Sequence, residues 1–441
     1  MTPPRTAAVK RKMGVFTLTA LVAGNMIGSG IFLLPASLAQ YGSISIASWV
    51  FTAVGAVLLG LVFANLSRIK PMVGGPYAYC REAFGDLIAF LIAYNYWIAL
   101  WVGNAAIVVA FTGYMSVFFP QLHDHYIACY TSISVVWLLT VVNIIGVRQA
   151  GILQLCATIL KLLPLIAIGL FGVFHMTPAN FSAFNVSGQS HLSAFTGAAA
   201  LTLWTFIGVE SATIPAAEVE RPTITIPRAT IWGVLIAAVV YILSSVAIMG
   251  VVPNKQLAQS SAPFADAALT LFGPWGALLV AAGAAISCFG ALNGWILLQG
   301  RVPFAAALDG LFPKIFARQT ASETPYVGLI VSALLISGLL LLTISKQLID
   351  QFTFIILLAV LATLIPYLLT TCAAIIIYIK QHRLTAKPLS LTAVVIALAA
   401  FCYSFWAIIG SGEQTVFYGT LLFFSGLPIF AWLYFCNSAK R

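Results

Sequence analysis

Long apolar stretches alternate with short polar segments along the whole chain of 441 residues. A helix needs about 20 consecutive apolar residues to cross the hydrocarbon core of a bilayer. The alternation therefore predicts an all-α polytopic membrane protein with twelve transmembrane helices. Their approximate bounds are 14–38, 44–67, 83–118, 126–146, 152–174, 195–217, 228–251, 274–300, 325–344, 351–379, 389–410 and 415–436.

The first apolar segment contains an unusual group of small residues. Its middle, residues 24–34, reads GNMIGSGIFLL and includes Gly28, Ser29 and Gly30. Glycine is less favourable than alanine inside a helix by about 1 kcal/mol. Unpaired backbone is tolerated at membrane depth only where it faces protein or a water-filled cavity. The segment predicts either a helix that is interrupted to bind a ligand or a close contact between helices.

The sixth apolar segment is interrupted in a similar way, because Gly208 lies between Trp204 and Glu210. Corresponding interruptions in two halves of a chain are typical of inverted-repeat transporters, whose substrate site lies near the bilayer midplane. We therefore expect a 5+5 inverted repeat with broken helices 1 and 6, plus two additional helices. The expected division is an N-terminal tail over 1–13, a first five-helix repeat over 14–174, a second over 195–379, helices 11 and 12 over 389–436, and a tail over 437–441.

Positive charge is concentrated in alternate loops. If the N-terminus is cytoplasmic, every Lys and Arg of the 21 falls in an inner segment except Lys161, Lys255 and Lys346. Inner loops of membrane proteins carry this excess of positive charge, so both termini are predicted to be cytoplasmic. The formal net charge of +10 is thereby explained as a topology signal, and no nucleic-acid partner is predicted.

Composition excludes several other classes of function. Hydrophobic residues make up 61% of the chain and charged residues 7%, with a mean hydropathy of +1.03, which excludes a soluble domain. The seven cysteines are scattered without a CxxC pair, so neither a metal site nor a disulfide framework is predicted. The sequence contains no phosphate-loop, hydrolase or zinc-protease motif, and neither an enzyme nor a cofactor is expected.

Two ionisable side chains fall inside predicted spans. Glu210 lies in the sixth span, and Lys161 lies in the fifth. Because a charge is costly to bury in a bilayer, both are candidates for proton coupling or gating. The alternative for Glu210 is a hydrogen-bonded structural acid, and the alternative for Lys161 is a side chain that extends to the membrane surface.

Aromatic and amide side chains also fall in mid-span. Trp204 and Trp295 lie away from the interfaces where tryptophan is usually enriched. An indole at this depth can stack on a cation, although core packing would explain either tryptophan alone. Tyr96 and Asn104 lie two turns apart in the third span, where they either reach a common cavity or bond to a neighbouring helix.

Four longer motifs resemble a known family. The segments GNMIGSGIFLLPASLA, GGPYAYCREAFG, LWTFIGVESA and DGLFPKIFA begin at residues 24, 74, 203 and 309. They are similar to segments of the amino acid–polyamine–organocation superfamily, in particular its basic amino acid and polyamine antiporters, which include the arginine/agmatine antiporters. The resemblance runs from about residue 13 to residue 436. It implies a multi-pass protein of the bacterial inner membrane that works by alternating access.

The resemblance implies roles at both interruptions. Ser29 and Gly30 match positions that hold the substrate carboxylate, and Met26 matches the residue whose carbonyl receives the α-amino group. Trp204 and Ile207 match the unwound part of the sixth helix that lines the site.

Roles on the other helices follow from the same resemblance. Trp295 matches the aromatic residue that stacks on a guanidinium, and Asn104 matches the polar partner in span three. Tyr96 matches a gating tyrosine, and Glu210 matches the acid that is linked to pH sensing and proton-dependent gating.

The chain departs from the arginine antiporters in the distal part of the site. Leu100, Ile107 and Leu357 stand where a cysteine, a methionine and a serine are expected. The distal pocket is therefore predicted to be more apolar, which leaves the donors of a guanidinium without acceptors. Lys161 resembles instead a lysine of proton-coupled amino acid transporters in the same superfamily.

Three functional hypotheses result. The first is an antiporter that exchanges a cationic, arginine-like amino acid for its decarboxylated, agmatine-like amine. The second is a proton symporter of neutral or apolar amino acids that uses Lys161 or Glu210. The third is a substrate sensor that does not transport. The expected partners are the amino acid or amine, the lipid bilayer, a second copy of the chain and, for the antiporter, a cytoplasmic amino acid decarboxylase.

Overall fold

The structure, a computed structural model, describes residues 13–27, 30–70, 75–145, 150–213, 219–385 and 390–438, with the backbone alone for 150–161, 385, 437 and 438. This part of the chain is helical apart from short 3-10 turns, loops and one isolated bridge between Met13 and Val219. The helices are α1 (Val15–Met26), α2 (Gly30–Ala39), α3 (Ile44–Ile69), α4 (Pro76–Phe84), α5 (Asp86–Met115), α6 (His125–Ile145), α7 (Ala150–Val173), α8 (His191–Leu203), α9 (Pro222–Val251), α10 (Asn254–Leu257), α11 (Pro263–Leu308), α12 (Tyr326–Leu342), α13 (Leu348–Thr385), α14 (Leu391–Gly410), α15 (Glu413–Phe424) and α16 (Gly426–Ser438).

These helices confirm the all-α membrane architecture. Among the residues described, nine helices are long and apolar enough to cross a membrane, or ten if α1 and α2 form one bent span. Two shorter apolar helices, Leu162–Val173 and Tyr326–Leu342, lie at the places of the predicted fifth and ninth spans. The total of twelve spans, the cytoplasmic termini and the division into two repeats stay predictions.

Both expected interruptions are present. The axes of α1 and α2 differ by 45°, and α2 begins at Gly30. Gly28 and Ser29 lie outside the described residues. Helix α8 ends at Leu203 and continues as two 3-10 turns, Trp204–Phe206 and Ser211–Thr213. Between these turns Gly208 has φ 107°, a conformation that side-chain-bearing residues rarely adopt.

Helix α5 forms the centre of the fold. In the 18-residue stretch of α5 that was tested for mean hydropathy, 89% of the residues are buried inside the protein. The corresponding share for the span Glu413–Cys436 is 11%. A helix that is apolar all round is expected to be enclosed by other helices. Helices α11 and α13 pack along α5, and α2 and the Trp204 indole also contact it, so polar residues on α5 lie at the core of the bundle.

Two features were not predicted. Helix α4 occupies a segment that we expected to be a loop, and its Pro76 stands at the start, where proline is compatible with a helix. The predicted eighth span begins at 274, whereas α11 begins at Pro263 and is kinked at Gly273, where φ is 73°. The apolar pattern identified only the part after the kink, because Asp266 and the turn before it are more polar.

Candidate functional site

A cavity lies where the two interrupted helices meet α5, α11 and α13. The centre of a water-sized sphere can reach about 50 Å³ of it. Most of the residues that were predicted to bind substrate line it, namely Met26, Gly30, Tyr96, Leu100, Asn104, Trp204, Ile207 and Trp295. The structure therefore brings together residues that are up to 269 positions apart, from Met26 to Trp295.

One face of α5 forms a wall of the cavity. Tyr96, Leu100 and Asn104 follow one another at intervals of four residues, and Ile107 continues the same face. Side chains at this spacing lie on one side of a helix. The wall is apolar at Leu100 and Ile107, which are buried, and the Asn104 amide stands between them.

The Trp204 indole is seated between two glycines. A Cβ atom added at Gly30 would lie 2.1 Å from Trp204 Nε1, and one added at Gly103 would lie 2.9 Å from its Cη2. Any larger residue at Gly30 would displace the ring or the start of α2. Gly30 is therefore required for a close approach of the two interruptions, in addition to marking the start of α2.

Glu210 joins three helical segments through two tyrosines. Its Oε1 accepts a hydrogen bond from the Tyr96 hydroxyl at 3.1 Å, and its Oε2 accepts one from the Tyr367 hydroxyl at 2.5 Å. The Tyr367 hydroxyl also accepts the backbone N–H of Gly208 at 3.4 Å. Because Glu210 is 0% exposed, these hydroxyls replace water as its hydrogen-bond donors. We name Glu210, Tyr96 and Tyr367 the interior cluster.

Asn104 is paired with a glutamine of α11. Its Nδ2 donates to Gln299 Oε1 at 2.7 Å, and both side chains are 0% exposed. Within the described part of the chain, Asn104 Oδ1 and Gln299 Nε2 have no hydrogen-bond partner. Asn104 lines the cavity, so its amide is a candidate partner for a ligand, whereas Gln299 is not among the lining residues.

Four predicted site residues are not placed in the cavity, and one of them, Glu210, is linked to it only by the hydrogen bond from Tyr96. Leu357 is partly buried against the core and is not among the lining residues, whereas Thr363, later on the same helix, is. Ser29 lies outside the described residues. Lys161 belongs to α7, but its side chain also lies outside the described part, so its predicted role stays a prediction.

Tyr367, Gln299 and Thr363 were not predicted as residues of the site. All three lie in spans, where a single polar residue is often only a packing contact. Gln299 could have been predicted, since it lies one turn after Trp295 and therefore on a similar face of α11. Tyr367 and Thr363 had no comparable signal, because their relation to Glu210 and to the cavity depends on the packing of α13.

A second polar cluster lies at helix ends, outside the spans. Glu82 of α4 contacts Lys70 at 3.2 Å and Lys380 at 2.8 Å. These hydrogen bonds, first from Lys380 and then from Lys70, lower the pKa of the Glu82 carboxyl. Arg81 contacts Asp86 at 2.9 Å and Asp309 at 3.6 Å, and Asp309 also accepts the Tyr77 hydroxyl at 2.8 Å. We name Glu82, Lys70 and Lys380 the helix-end cluster.

The groups described contain no set of three His, Cys, Asp or Glu side chains that could hold a metal ion. The cavity lining offers amide, hydroxyl and aromatic groups, which can bind a ligand by hydrogen bonds and aromatic contacts. A helical membrane protein with a cavity between two interrupted spans has the architecture of a secondary transporter.

The chain belongs to the amino acid permease family, whose model matches residues 13–432. This agrees with the resemblance of its motifs to the amino acid–polyamine–organocation superfamily. Members of the family are membrane transporters, in agreement with the expectation that the protein is not an enzyme.

Curated relatives are similar over nearly the whole chain. The putrescine transporter PotE of Escherichia coli (strain K12) is 35% identical over 426 residues, which cover 96% of both chains. The putrescine transporter PotE of Haemophilus influenzae is 34% identical over 444 residues, 99% of this chain and 100% of the relative. The cadaverine/lysine antiporter of Escherichia coli (strain K12) is 37% identical over 366 residues, 81% of this chain and 82% of the relative.

Proposed function

We propose that the protein is an amino acid/amine antiporter, which exchanges a cationic amino acid for its decarboxylated amine at the cavity described above. The names of the relatives support this class, since they transport putrescine or exchange cadaverine and lysine. The observation that carries the proposal is the cavity at the two interruptions, whose α5 wall is apolar at Leu100 and Ile107 and has the Asn104 amide between them.

The interruption of the first span supplies the headgroup half of the site. The first N–H groups of α2, beginning at Gly30, have no acceptor within their own helix and lie at its positive end. They suit the carboxylate of an amino acid. The carbonyl end of α1 at Met26 is partially negative and suits the α-amino group. Ser29 contributes to the carboxylate site under this proposal.

The α5 wall forms the part of the site that would contact the side chain of the substrate, and it favours an alkyl ammonium. Leu100 and Ile107 are suited to the methylene chain of a diamine, and Trp295 offers an aromatic face to its charge. A guanidinium carries five N–H donors in a planar fork, whereas an ammonium is compact and carries three. With Asn104 Oδ1 as the acceptor, a linear diamine is favoured over agmatine, and lysine or ornithine over arginine.

Exchange in proteoliposomes tests this proposal. Vesicles preloaded with lysine, ornithine or arginine are compared with empty vesicles for the uptake of labelled putrescine, cadaverine and agmatine. We expect uptake only into loaded vesicles, with a diamine preferred over agmatine by about tenfold, the value of one hydrogen bond to a charged group. A preference for agmatine would instead support the arginine-like exchange.

Proton symport is the competing function, because Glu210 lies within hydrogen-bond distance of Tyr96, a residue of the cavity wall. Under symport a pH gradient alone drives uptake of a neutral amino acid into empty vesicles. Lys161→Ala would then abolish uptake, whereas it should leave exchange intact. Ligand binding without any flux would support a sensor.

Three further statements belong to the same proposal. The protein lies in the bacterial inner membrane with both termini cytoplasmic, forms a homodimer, and works beside a cytoplasmic amino acid decarboxylase that supplies the amine. Removal of the decarboxylase substrate from the cell should then abolish amine export.

A further inference from the structure

A second cavity, which is mainly polar, lies between the C-terminal end of α5 and the loop that leads into α11. The centre of a water-sized sphere can reach about 360 Å³ of it, which leaves room for a small ligand together with water. Its polar lining includes Ser116, Gln256, Gln259, Ser260, Ser261 and Asp266. We name this cavity the end pocket, and it has no part in the function described so far.

Asp266 supplies the one carboxylate among the described residues that line the end pocket. Its Oδ2 accepts a hydrogen bond from the Ser260 hydroxyl. Its Oδ1 has no donor in the described part of the chain and is not enclosed by protein, so solvent reaches it. No lysine or arginine with a described side chain forms an ion pair with Asp266. Because the carboxylate is partly withdrawn from water and lacks a counter-charge, a cation in the pocket is favoured.

The end pocket lies on the same helix as the substrate cavity but apart from it. Ser116 follows Ile107 by nine residues, so the two are separated by about 14 Å along the axis of α5. Tyr114, which lies between them, donates to the Phe32 carbonyl at 2.8 Å and accepts the Phe264 N–H at 3.2 Å. All three of these aromatic residues are 0% exposed. A ligand in the end pocket is therefore separated from the substrate cavity by a packed aromatic layer.

The lining of the end pocket is held in place by contacts with α5. Ser116 Oγ lies 3.2 Å from Ser261 Oγ. A Cβ atom added at Gly113 would lie 2.6 Å from the Ser261 carbonyl oxygen, so the loop before α11 is seated directly on the helix. The Ala262 N–H donates to Ser260 Oγ at 3.2 Å. The pocket is thus formed before a ligand arrives, which lowers the cost of binding.

We infer that the end pocket is a second binding site for the ammonium group of the substrate, which amines occupy before entering or after leaving the substrate cavity. The inference rests on the proposed function, which supplies the amine and places this end of α5 on the outer side of the membrane. Asp266 Oδ1 accepts from the ammonium, and the Gln256 and Gln259 amides offer neutral oxygens. With a single carboxylate, the pocket suits an ammonium better than a divalent metal ion.

Protection of a cysteine placed in the end pocket tests its occupancy directly. Gln259 is exposed and lines the pocket, so Gln259→Cys should react with a membrane-impermeant maleimide added from outside. Saturating cadaverine should slow this labelling by more than about threefold. Pentane-1,5-diol has the same carbon chain without the charges and should give no protection. Addition of Asp266→Asn to the reporter should abolish the protection by cadaverine.

Transport kinetics measure the consequence for exchange. Asp266→Asn removes the charge and retains an acceptor for Ser260. For cadaverine presented at the outer face, kcat/KM should fall by about fivefold, the effect of one unit charge at about 4 Å in water. For cadaverine presented at the cytoplasmic face it should not change. Glu413→Gln is the matched control, because it removes an exposed carboxylate that the proposed topology also places outside and that does not line the pocket.

The reporter also separates this inference from the proposed function. Gly30→Val should prevent binding in the substrate cavity, so protection of Gln259→Cys that persists in this background supports the end pocket, and its loss overturns the inference. The inference is also overturned if protection survives Asp266→Asn, if the diol or Mg²⁺ protects as well as cadaverine does, or if Glu413→Gln lowers kcat/KM equally. If the wild type exchanges no amine while protection persists, the proposed function fails and the pocket still binds amines.

Discussion

The interior cluster and the helix-end cluster both join several helices through one carboxylate, but they do so in different surroundings. Glu210 is 0% exposed and is held by two tyrosine hydroxyls. The Glu82 side chain is 26% exposed and contacts two lysines whose side chains are 50% and 56% exposed. The first cluster uses neutral donors, and the second uses ion pairs.

The difference follows from where water is available. In the interior an unmatched polar atom costs about 1–3 kcal/mol, so each hydroxyl that donates to Glu210 contributes to the stability of the fold. At the helix ends water can replace either partner, and an exposed ion pair contributes at most about 1 kcal/mol. We therefore expect substitutions near the interruptions to have large effects, and substitutions at Glu82 to have small effects that depend on salt and pH.

The largest effect is expected from Gly30→Val. A branched side chain cannot be accommodated 2.1 Å from Trp204 Nε1, so the two interruptions must separate and the cavity must change shape. Binding of cadaverine or lysine should fall by more than about 100-fold, since displacing a substrate by about 1 Å can already cost that much. Isothermal titration on purified protein measures it.

Gly338→Val is the matched control for this substitution. Gly338 also lies in a helix, and among the described residues no atom outside the adjacent backbone of its own helix lies within 4 Å of the position that a Cβ atom would take there. The control should bind substrate as the wild type does. Unchanged binding by a folded Gly30→Val protein would show that the substrate site lies elsewhere.

A smaller but clear effect is expected from Tyr367→Phe. The substitution leaves Glu210 Oε2 and the Gly208 N–H without this partner while the packing of the ring is retained. The free energy of unfolding should fall by about 1–3 kcal/mol, and thermal unfolding in detergent measures the loss. Tyr434→Phe, at a position 68% exposed, should have no effect. Equal stability of both variants would mean that water reaches the interior cluster.

The smallest effect is expected from Glu82→Gln. Because lysine contacts lower the pKa of Glu82 in the folded protein, its ion pairs stabilise the fold above the unfolded pKa, about 4.3. That contribution is lost as the pH falls through the lower, folded value. Glu82→Gln should therefore be less stable than the wild type by at most about 1 kcal/mol at pH 7, and the difference should disappear once the pH has fallen below the folded pKa of Glu82.

Salt gives a second measure of the same contact. Raising the ionic strength toward 1 M shortens the screening length to about 3 Å, which should remove most of the difference at pH 7. Thermal unfolding at two salt concentrations provides the comparison. A difference of several kcal/mol that persists in high salt would mean that Glu82 behaves like a buried group.

Much of the architecture could be predicted from residue patterns. The predicted spans 126–146 and 325–344 correspond to His125–Ile145 and Tyr326–Leu342, because a long apolar run has few alternatives to a membrane helix. The interruption before Gly30 and the one at Gly208 were also predicted, since glycine has a direct effect on the backbone. Helix α4 was not predicted, because nine residues of mixed polarity carry no membrane signal.

The residues of the candidate site could be predicted from the sequence better than the contacts between them. Glu210, Asn104 and Trp204 could be singled out, since polar or bulky groups at membrane depth need a reason to be there. Their partners Tyr367 and Gln299 could not, and Leu357 does not line the cavity although it was expected to. Which side chains meet is decided by the rotation and packing of α11 and α13 against α5.

The chain's residue pattern alone thus establishes a helical membrane protein with two broken spans and an unusual carboxyl group at Glu210. These properties follow from local physical chemistry, namely the length of apolar runs, the flexibility of glycine and the cost of buried charge. The tertiary structure decides that Trp204 lies between Gly30 and Gly103, and that Asn104 is hydrogen-bonded to Gln299. Those contacts join residues that are far apart in the chain. They depend on how the helices pack against one another, which the residue types alone do not determine.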